Sequence, residues 1–434
     1  MQSLSHLKHS PLEWVPSLYF AMGLPFVVLN MVSAVLYKDL GISDAQIAFW
    51  TSLIMWPWTI KFLWSPFLEL YRTKKFWVVG SQLLSGVLFG VAALSLQLPL
   101  FFSVSVAVFA VVAFSGATHD IAADGVYMSE LTTQDQAKYI GWQGAFYNLA
   151  KLVATGGLVW LAGWLYEGFS ADGASSYDAS VGSWTVVLLL LCVTLVALGL
   201  YHLRALPSGG SASEGRSLRD GLSGLREVIG AFFTKRHIWY YIAFIILYRL
   251  GEGFVMKIVP LFLKADTASG GLGLSNQQIG LYYGTFGAGA FLLGSLLAGY
   301  YIAHRGLRRT LFILCCIFNI PFAVYALLAW LQPQSMWIVG GGIVLEYFGY
   351  GFGFVGLTLF MMQQVAPGRH QMAHYAFASG IMNLSVMLTG AVSGYLSDAL
   401  GYGMFFLAVM LATVPAFLVT WFVPFTYDDK PNDK

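Results

Sequence analysis

The sequence predicts an all-α membrane protein with twelve transmembrane helices arranged as two six-helix bundles. Three observations support this fold class. First, 58% of the 434 residues are hydrophobic and only 10% are charged, whereas soluble domains carry about 25% charged residues. Second, apolar runs of roughly 20 residues, the length that crosses a bilayer, recur along the whole chain. Third, a short segment is repeated about half a chain apart.

Twelve apolar runs account for the predicted spans. They cover residues 12–38, 45–66, 76–97, 100–129, 137–166, 183–203, 237–264, 276–302, 309–331, 335–365, 371–398 and 401–424. The longer runs are compatible with tilted helices. The first run is too long for the hydrophobic region of a cleavable signal peptide and follows a polar stretch, so we expect it to remain a membrane span.

The repeated segment reads LGISDAQIAFW at 40–50 and LGLSNQQIGLY at 272–282. Ser43 and Ser275 are each followed three residues later by glutamine, which is the spacing of a capping box at a helix start. Each copy also opens a long apolar run. We interpret the copies as the matching starts of spans 2 and 8, so the chain consists of two parallel six-span repeats.

A polar segment over 204–236 separates the two repeats. It contains PSGGSASEGRS, a flexible composition, followed by a basic stretch that predicts a surface helix. We therefore predict an N-terminal bundle over 1–203, a cytosolic linker over 204–236, a C-terminal bundle over 237–424 and a cytosolic tail over 425–434.

The distribution of basic residues predicts the orientation. With both termini in the cytosol, 17 of the 23 Lys and Arg residues fall in cytosolic segments and only Lys38 and Lys264 fall in outer loops. Cytosolic loops of membrane proteins carry this excess. We therefore expect a multi-pass protein of the inner membrane with both termini in the cytosol.

Composition also limits the partners. Cys192, Cys315 and Cys316 all lie inside apolar runs and indicate neither a disulfide framework nor a metal site. The net charge of +2 does not point to nucleic acid. We predict no cofactor and no metal. The expected partners are a small-molecule substrate, protons and the lipid bilayer, and we expect a monomer.

Ionisable residues within the spans mark the candidate site, because burying them in a membrane is costly. They are Glu13, Lys61, His119, Asp120, Asp124, Lys151, Arg249, Glu252, Lys257, Glu346 and His374. Spans 3, 6, 9 and 12 contain no Asp, Glu, Lys or Arg in their interiors. In a six-plus-six transporter, spans 1, 4, 7 and 10 surround the central cavity and these four lie outside, so the pattern agrees with that architecture.

Depth along the helices predicts partners. At ~1.5 Å per residue, Asp120 and Lys151 lie roughly 17 and 21 Å from the cytosolic ends of their spans, so the two could meet. Lys61 could reach Asp124. We assign proton coupling or ion pairing to Lys61, Asp120, Asp124, Lys151 and Glu252, and we expect Asp120, the deeper acid, to carry the proton. The alternative is that these groups are structural ion pairs that lock helices together.

Other groups are candidates for solute binding. Arg249 could bind an anionic group of the solute. The further candidates are Lys257, Glu346, Tyr19, Gln143, Tyr147 and Asn148. The alternative for the uncharged members is packing or hydrogen bonding between helices.

Five motifs resemble a known family. They are YFAMGLP (19–25), KFLWSPFLELY (61–71), ATHDIAADGV (117–126), LYRLGEGF (247–254) and EYFGYGFG (346–353). The chain resembles the AmpG-type muropeptide permeases of the major facilitator superfamily, with acetyl-CoA transporters and RhtX/FptX-type siderophore permeases as related branches. Two positions depart from the family pattern: Glu69 replaces its aspartate and His119 its glutamine.

The resemblance implies a secondary transporter that imports a bulky polar solute, such as a muropeptide, by proton-driven alternating access. Siderophores and acyl-CoA are alternative solutes, and export is an alternative direction. A membrane-embedded enzyme built on His119, Asp120 and Asp124 is a competing class, but no metalloprotease or nucleophile motif accompanies these residues. A non-transporting sensor is a third class, which the absence of a sizeable soluble domain disfavours.

Overall fold

The computed structural model describes residues 10–42, 44–210, 218–274 and 276–427. Within these ranges every regular element is helical, as predicted. The chain forms two compact units: Met1–Glu130 with Phe146–Leu225, and Leu131–Ala145 with Arg226–Lys434. The grouping of Leu131–Ala145 with the second unit is not foreseen in the sequence. The middle of the predicted linker, 211–217, lies outside the described residues.

The described residues of the first half of the chain form ten α-helices. They are α1 (Pro11–Val27), α2 (Ser33–Asp39), α3 (Asp44–Ile54), α4 (Trp56–Ile60), α5 (Ser65–Leu70), α6 (Lys74–Ser95), α7 (Phe101–Glu130), α8 (Thr133–Leu152), α9 (Val159–Ala171) and α10 (Ser176–Ala205). Two π-helical segments, Val28–Val32 and Val153–Leu158, make α1–α2 and α8–α9 continuous. A 3-10 turn, Lys61–Leu63, lies between α4 and α5.

In the second half, the part of the chain that the structure describes forms nine α-helices. They are α11 (Leu218–Phe233), α12 (Ile238–Tyr248), α13 (Leu250–Lys264), α14 (Asn276–Ile279), α15 (Gly287–Arg305), α16 (Leu307–Asn319), α17 (Ala323–Leu331), α18 (Met336–Phe360) and α19 (Gln371–Trp421). The connecting helical segments are Thr267–Ser269, Gly280–Phe286, Ile320–Phe322 and Met361–Val365.

Nine helices in the described part of the chain are long and apolar enough to cross a membrane. They are Pro11–Asp39, Lys74–Ser95, Phe101–Glu130, Thr133–Ala171, Ser176–Ala205, Leu281–Arg305, Leu307–Leu331, Met336–Val365 and Val392–Trp421. The other three predicted spans, 45–66, 237–264 and 371–398, are helical but broken or merged. The third, 371–398, forms the first part of α19, which continues through a kink at Gly401 (φ 70°) into the span predicted over 401–424. The count of twelve therefore stays a prediction.

One of the two broken spans has an identifiable cause. Pro57 and Pro66 lie in the first turns of α4 and α5, where proline is tolerated because those N–H groups have no partner within the helix. The other break is at Arg249, between α12 and α13. Each break places a basic side chain, Lys61 or Arg249, at a point where one helix ends and the next begins.

The two predicted capping boxes cannot be compared directly with the structure, since Ser43 and Ser275 lie outside the described residues. The helices nevertheless begin at the adjacent positions, Asp44 and Asn276. Elsewhere, Ser175 does cap a helix: its Oγ accepts from the backbone N–H of Asp178 at 3.1 Å. The hydrogen bonds of the repeated motif stay a prediction.

Close backbone packing of α15 against α18 leads to the first prediction. A Cβ atom on Gly351 would lie 2.2 Å from the carbonyl oxygen of Phe291. Gly351→Ala should therefore cost about 1–3 kcal/mol because the backbone must shift. Gly341, on the same helix, has no such neighbour within 4 Å, so Gly341→Ala is the matched control. Thermal unfolding of the purified protein should show a lower Tm for Gly351→Ala alone, and equal values for both variants would contradict the close packing.

Candidate functional site

The first unit holds an acidic pair on α7. Asp120 and Asp124 lie one helical turn apart, and Lys61, from the 3-10 turn of the broken span, forms an ion pair with Asp120. The Lys61 and Asp120 side chains are only 6% and 14% exposed. Asp124 accepts a hydrogen bond from the Tyr19 hydroxyl at 2.9 Å. Asp120, which was predicted to pair with Lys151, is thus already paired with Lys61, and Asp124 accepts from a tyrosine.

This arrangement corrects the predicted pairing. Lys151 is an exposed residue at the end of α8 and forms no ion pair with any side chain in the described ranges. Lys61 takes its place beside Asp120, although it also lies near enough to Asp124 to attract it electrostatically. The physical reason is that depth along a helix does not fix the direction of a side chain around it. The 3-10 turn, which the apolar pattern does not reveal, redirects Lys61.

Aromatic groups enclose Asp124. The Tyr19 and Tyr127 rings meet edge to face at 5.8 Å. Tyr147, on α8, lies close enough to interact electrostatically with both carboxylates. Tyr19 and Tyr147 were both predicted site residues, and the structure places them beside the acidic pair. Asn148 is half-buried on the same helix.

His119 faces a different environment from its neighbour Asp120. It is 3% exposed, and neither ring nitrogen has a hydrogen-bond partner among the described residues. His202 lies nearby and bridges Ser17 and Gln82, at 3.0 and 2.8 Å from its two ring nitrogens. His119 therefore does not join the acids in the catalytic cluster that the enzyme hypothesis required. Within the described residues no group of three or more His, Cys, Asp or Glu is placed to hold a metal ion.

The second unit contains its own ion pair. Arg249, at the break between α12 and α13, donates through Nε and Nη2 to the two carboxylate oxygens of Glu252. This bidentate geometry is the strongest form of the contact. The Phe354 ring lies 5.1 Å from the guanidinium carbon, and Tyr350 lies close enough to interact electrostatically with both Arg249 and Glu252. Arg249 and Glu252 thus form a buried ion pair without net charge.

Glu346 lies in the same unit, and no basic side chain among the described residues forms an ion pair with it. It is 5% exposed, and its Oε2 accepts from the Tyr325 hydroxyl at 2.8 Å. Tyr283 and Tyr347 pack edge to face at 5.0 Å close by. Sequence reasoning missed Tyr325 and Tyr350. Tyr350 lies four residues after Glu346, a spacing that could have signalled a shared helix face, whereas nothing in the sequence links Tyr325 to it.

Two predicted solute-binding residues remain. Gln143 belongs to the second unit, and its buried Oε1 has no hydrogen-bond partner among the described residues. The side chain of Lys257 lies outside the described set. The predicted residues therefore fall into two groups, one in each unit, and each group contains an ion pair and a further buried acid.

Comparisons with known proteins identify the family. The profile described as Major Facilitator Superfamily matches residues 17–366, and a second match covers 246–434. The anhydromuropeptide permease of Escherichia coli K12 is 25% identical over 413 residues, covering 92% of this chain and 77% of that protein. An uncharacterized protein of Haemophilus influenzae is 23% identical over 419 residues, covering 93% of this chain and 92% of its own. These matches confirm the predicted resemblance to AmpG-type permeases.

Solved structures agree on the fold. The transporter FucP in its outward conformation superposes with a TM-score of 0.67 at 14% identity, covering 94% of this chain and 97% of that one. A bacterial homologue of the iron transporter ferroportin, outward-facing, gives a TM-score of 0.62 at 15% identity and the same coverage. At these identities the likeness establishes the fold, and it does not carry a solute from one protein to the other.

Proposed function

The chain belongs to the Major Facilitator Superfamily, and we propose that it imports an anhydromuropeptide across the inner membrane together with protons. Membership makes it a multi-pass membrane transporter rather than a membrane-embedded enzyme. The solute class rests on the similarity to the E. coli anhydromuropeptide permease. Proton coupling rests on the buried charges of the first unit. Transporters of this superfamily work by alternating access to a site near the membrane midplane.

The observation that carries the coupling proposal is the surplus acid on α7. Lys61 balances one of two carboxylates, so a second negative charge is left when all three groups are ionised. Burying an unpaired carboxylate is strongly unfavourable, and a proton on Asp124 removes the charge. The groups around Asp124 are Asp120, Lys61, Tyr19 and Tyr147. We therefore assign the proton to Asp124 instead of Asp120.

The solute-binding role of Arg249 is retained in a modified form. Its guanidinium has five N–H donors, and the fork to Glu252 uses two of the three nitrogens. An anionic group of the solute can share Arg249 with Glu252 through the remaining donors. Lys257, Glu346, Gln143, Tyr147 and Asn148 remain proposed contributors to solute binding.

The solute class is tested by counterflow. Proteoliposomes preloaded with unlabelled solute should exchange it for a labelled anhydromuropeptide without any ion gradient. Parallel assays with a ferric siderophore and with acetyl-CoA test the related branches. Exchange of the anhydromuropeptide alone supports the proposal, and exchange of either other solute in its place overturns it.

The orientation is proposed from the basic residues: both termini and the linker face the cytosol. We also propose that the protein acts as a monomer without nucleic acid. Single cysteines replacing Ser213 in the linker and Ser175 before α10 test it in a variant without the three native cysteines. In right-side-out vesicles an impermeant maleimide should label Ser175→Cys and leave Ser213→Cys unlabelled. The reverse pattern would invert the topology.

A further inference from the structure

Glu346 is a buried acid whose one hydrogen-bond partner among the described residues is a hydroxyl. Its contact with Tyr325 is 2.8 Å long, and no ion pair joins it to a Lys, Arg or His side chain in the described part of the chain. A hydroxyl donor does not cancel a full negative charge. Burial of that charge is therefore unfavourable unless the carboxyl holds a proton.

Among the residues that the structure describes, its titratable neighbours do not supply a free positive charge. They are Tyr325 on α17, Tyr283 in the segment Gly280–Phe286, Tyr347 and Tyr350 on α18, and Glu252 on α13. The nearby cation, Arg249, already makes a bidentate pair with Glu252. Counting charges, these groups comprise two carboxylates and one guanidinium, and one negative charge is left.

The first unit contains the same combination of groups: one base, two acids and a tyrosine hydroxyl. There Lys61 pairs with Asp120, and Asp124 accepts from Tyr19 at 2.9 Å. In each unit one acid is thus paired with a base, and the second acid accepts from a tyrosine hydroxyl as its one side-chain donor in the described ranges. The paired acids and the surplus acids play matching parts in the two units, although they lie at different places in the sequence.

We propose that Glu346 is a second proton-binding site, so that two protons accompany each solute; this rests on the proposed proton-coupled function. The link to the solute is electrostatic. When an anionic group of the solute shares Arg249 with Glu252, the region near Glu346 becomes more negative, which favours the protonated form of Glu346. Solute and proton therefore bind together, as symport requires.

The pH dependence of solute affinity tests the inference. Each proton taken up with the solute changes Kd by about tenfold per pH unit over the range in which its group is deprotonated in the free protein and protonated in the complex. Titrating an anhydromuropeptide into the purified protein should give a slope of log Kd against pH approaching two. Glu346→Gln should reduce the slope to about one, because the amide cannot take up a proton, although its oxygen can still accept from Tyr325. The exposed Glu167→Gln is the matched control and should keep the slope of the unmodified protein.

The possible outcomes separate the two proposals. If Glu346→Gln leaves the slope of log Kd against pH unchanged, the second site is overturned and the proposed function stays intact. The same holds if the unmodified protein has a slope of one that Asp124→Asn abolishes and Glu346→Gln does not. Absence of binding at every pH overturns the proposed function and this inference with it.

A measurement without solute guards against a variant that does not bind. Infrared difference spectra between high and low pH should contain the C=O stretch of a protonated acid that Glu346→Gln removes. Tyr325→Phe removes a donor that favours the ionised form, so the same band should persist to higher pH. A spectrum that Glu346→Gln leaves unchanged overturns the inference.

Discussion

Glu252→Gln is expected to cause the largest loss of stability among single substitutions in the ion pairs. It removes the charge that balances Arg249, whose side chain is only 7% exposed. Breaking a buried ion pair by removing one partner typically costs about 3–5 kcal/mol, because the remaining charge is left without compensation. The Phe354 ring at 5.1 Å offsets only part of this cost.

A double substitution separates charge from packing. Arg249→Met with Glu252→Met removes both charges and should recover much of the stability lost in Glu252→Gln. Glu227→Gln is the matched control, because Glu227 pairs with Arg369 while both side chains are more than half exposed, and exposed pairs contribute about 0–1 kcal/mol. Thermal unfolding in detergent measures all three. A Tm for Glu252→Gln equal to that of Glu227→Gln would show that the buried pair is not essential.

Asp124→Asn is expected to abolish proton-driven accumulation while leaving exchange of solute largely intact. The amide cannot bind and release the proton, yet its oxygen can still accept from Tyr19. Asp120→Asn should behave differently. It leaves Lys61 without its ion-pair partner in a buried site, so we expect lower stability together with reduced exchange.

Counterflow and gradient-driven uptake, measured on the same proteoliposomes, distinguish the two acids. If Asp124→Asn still concentrates the solute against its gradient, Asp124 is not the coupling group. If Asp120→Asn instead loses accumulation with normal exchange and an unchanged Tm, the original assignment of the proton to Asp120 is right after all.

The sequence was sufficient for features that depend on composition and motif. Apolar runs predicted the helical membrane class, and KFLWSPFLELY and LYRLGEGF carried the resemblance that the family match confirmed. Together with ATHDIAADGV they contain the residues of both ion pairs. Arg249 and Glu252 lie three residues apart, and that spacing on one helix face makes a contact predictable.

Features that depend on side-chain direction were not predictable. Lys61 reaches Asp120 because the span breaks into a 3-10 turn, while Lys151 lies at a matching depth and is exposed. Tyr325 reaches Glu346 from another helix, 21 residues away in sequence. Such contacts depend on how helices are rotated about their axes, and the apolar pattern of a membrane helix, which is hydrophobic on most faces, leaves that rotation undetermined.

The most direct test of proton-coupled import is accumulation of a labelled anhydromuropeptide in proteoliposomes whose exterior is more acidic than the interior. The account predicts uptake beyond the external concentration, collapse of that uptake when a protonophore is added, and its loss in Asp124→Asn. Uptake that stops at the external concentration, with or without the pH gradient, would contradict proton coupling.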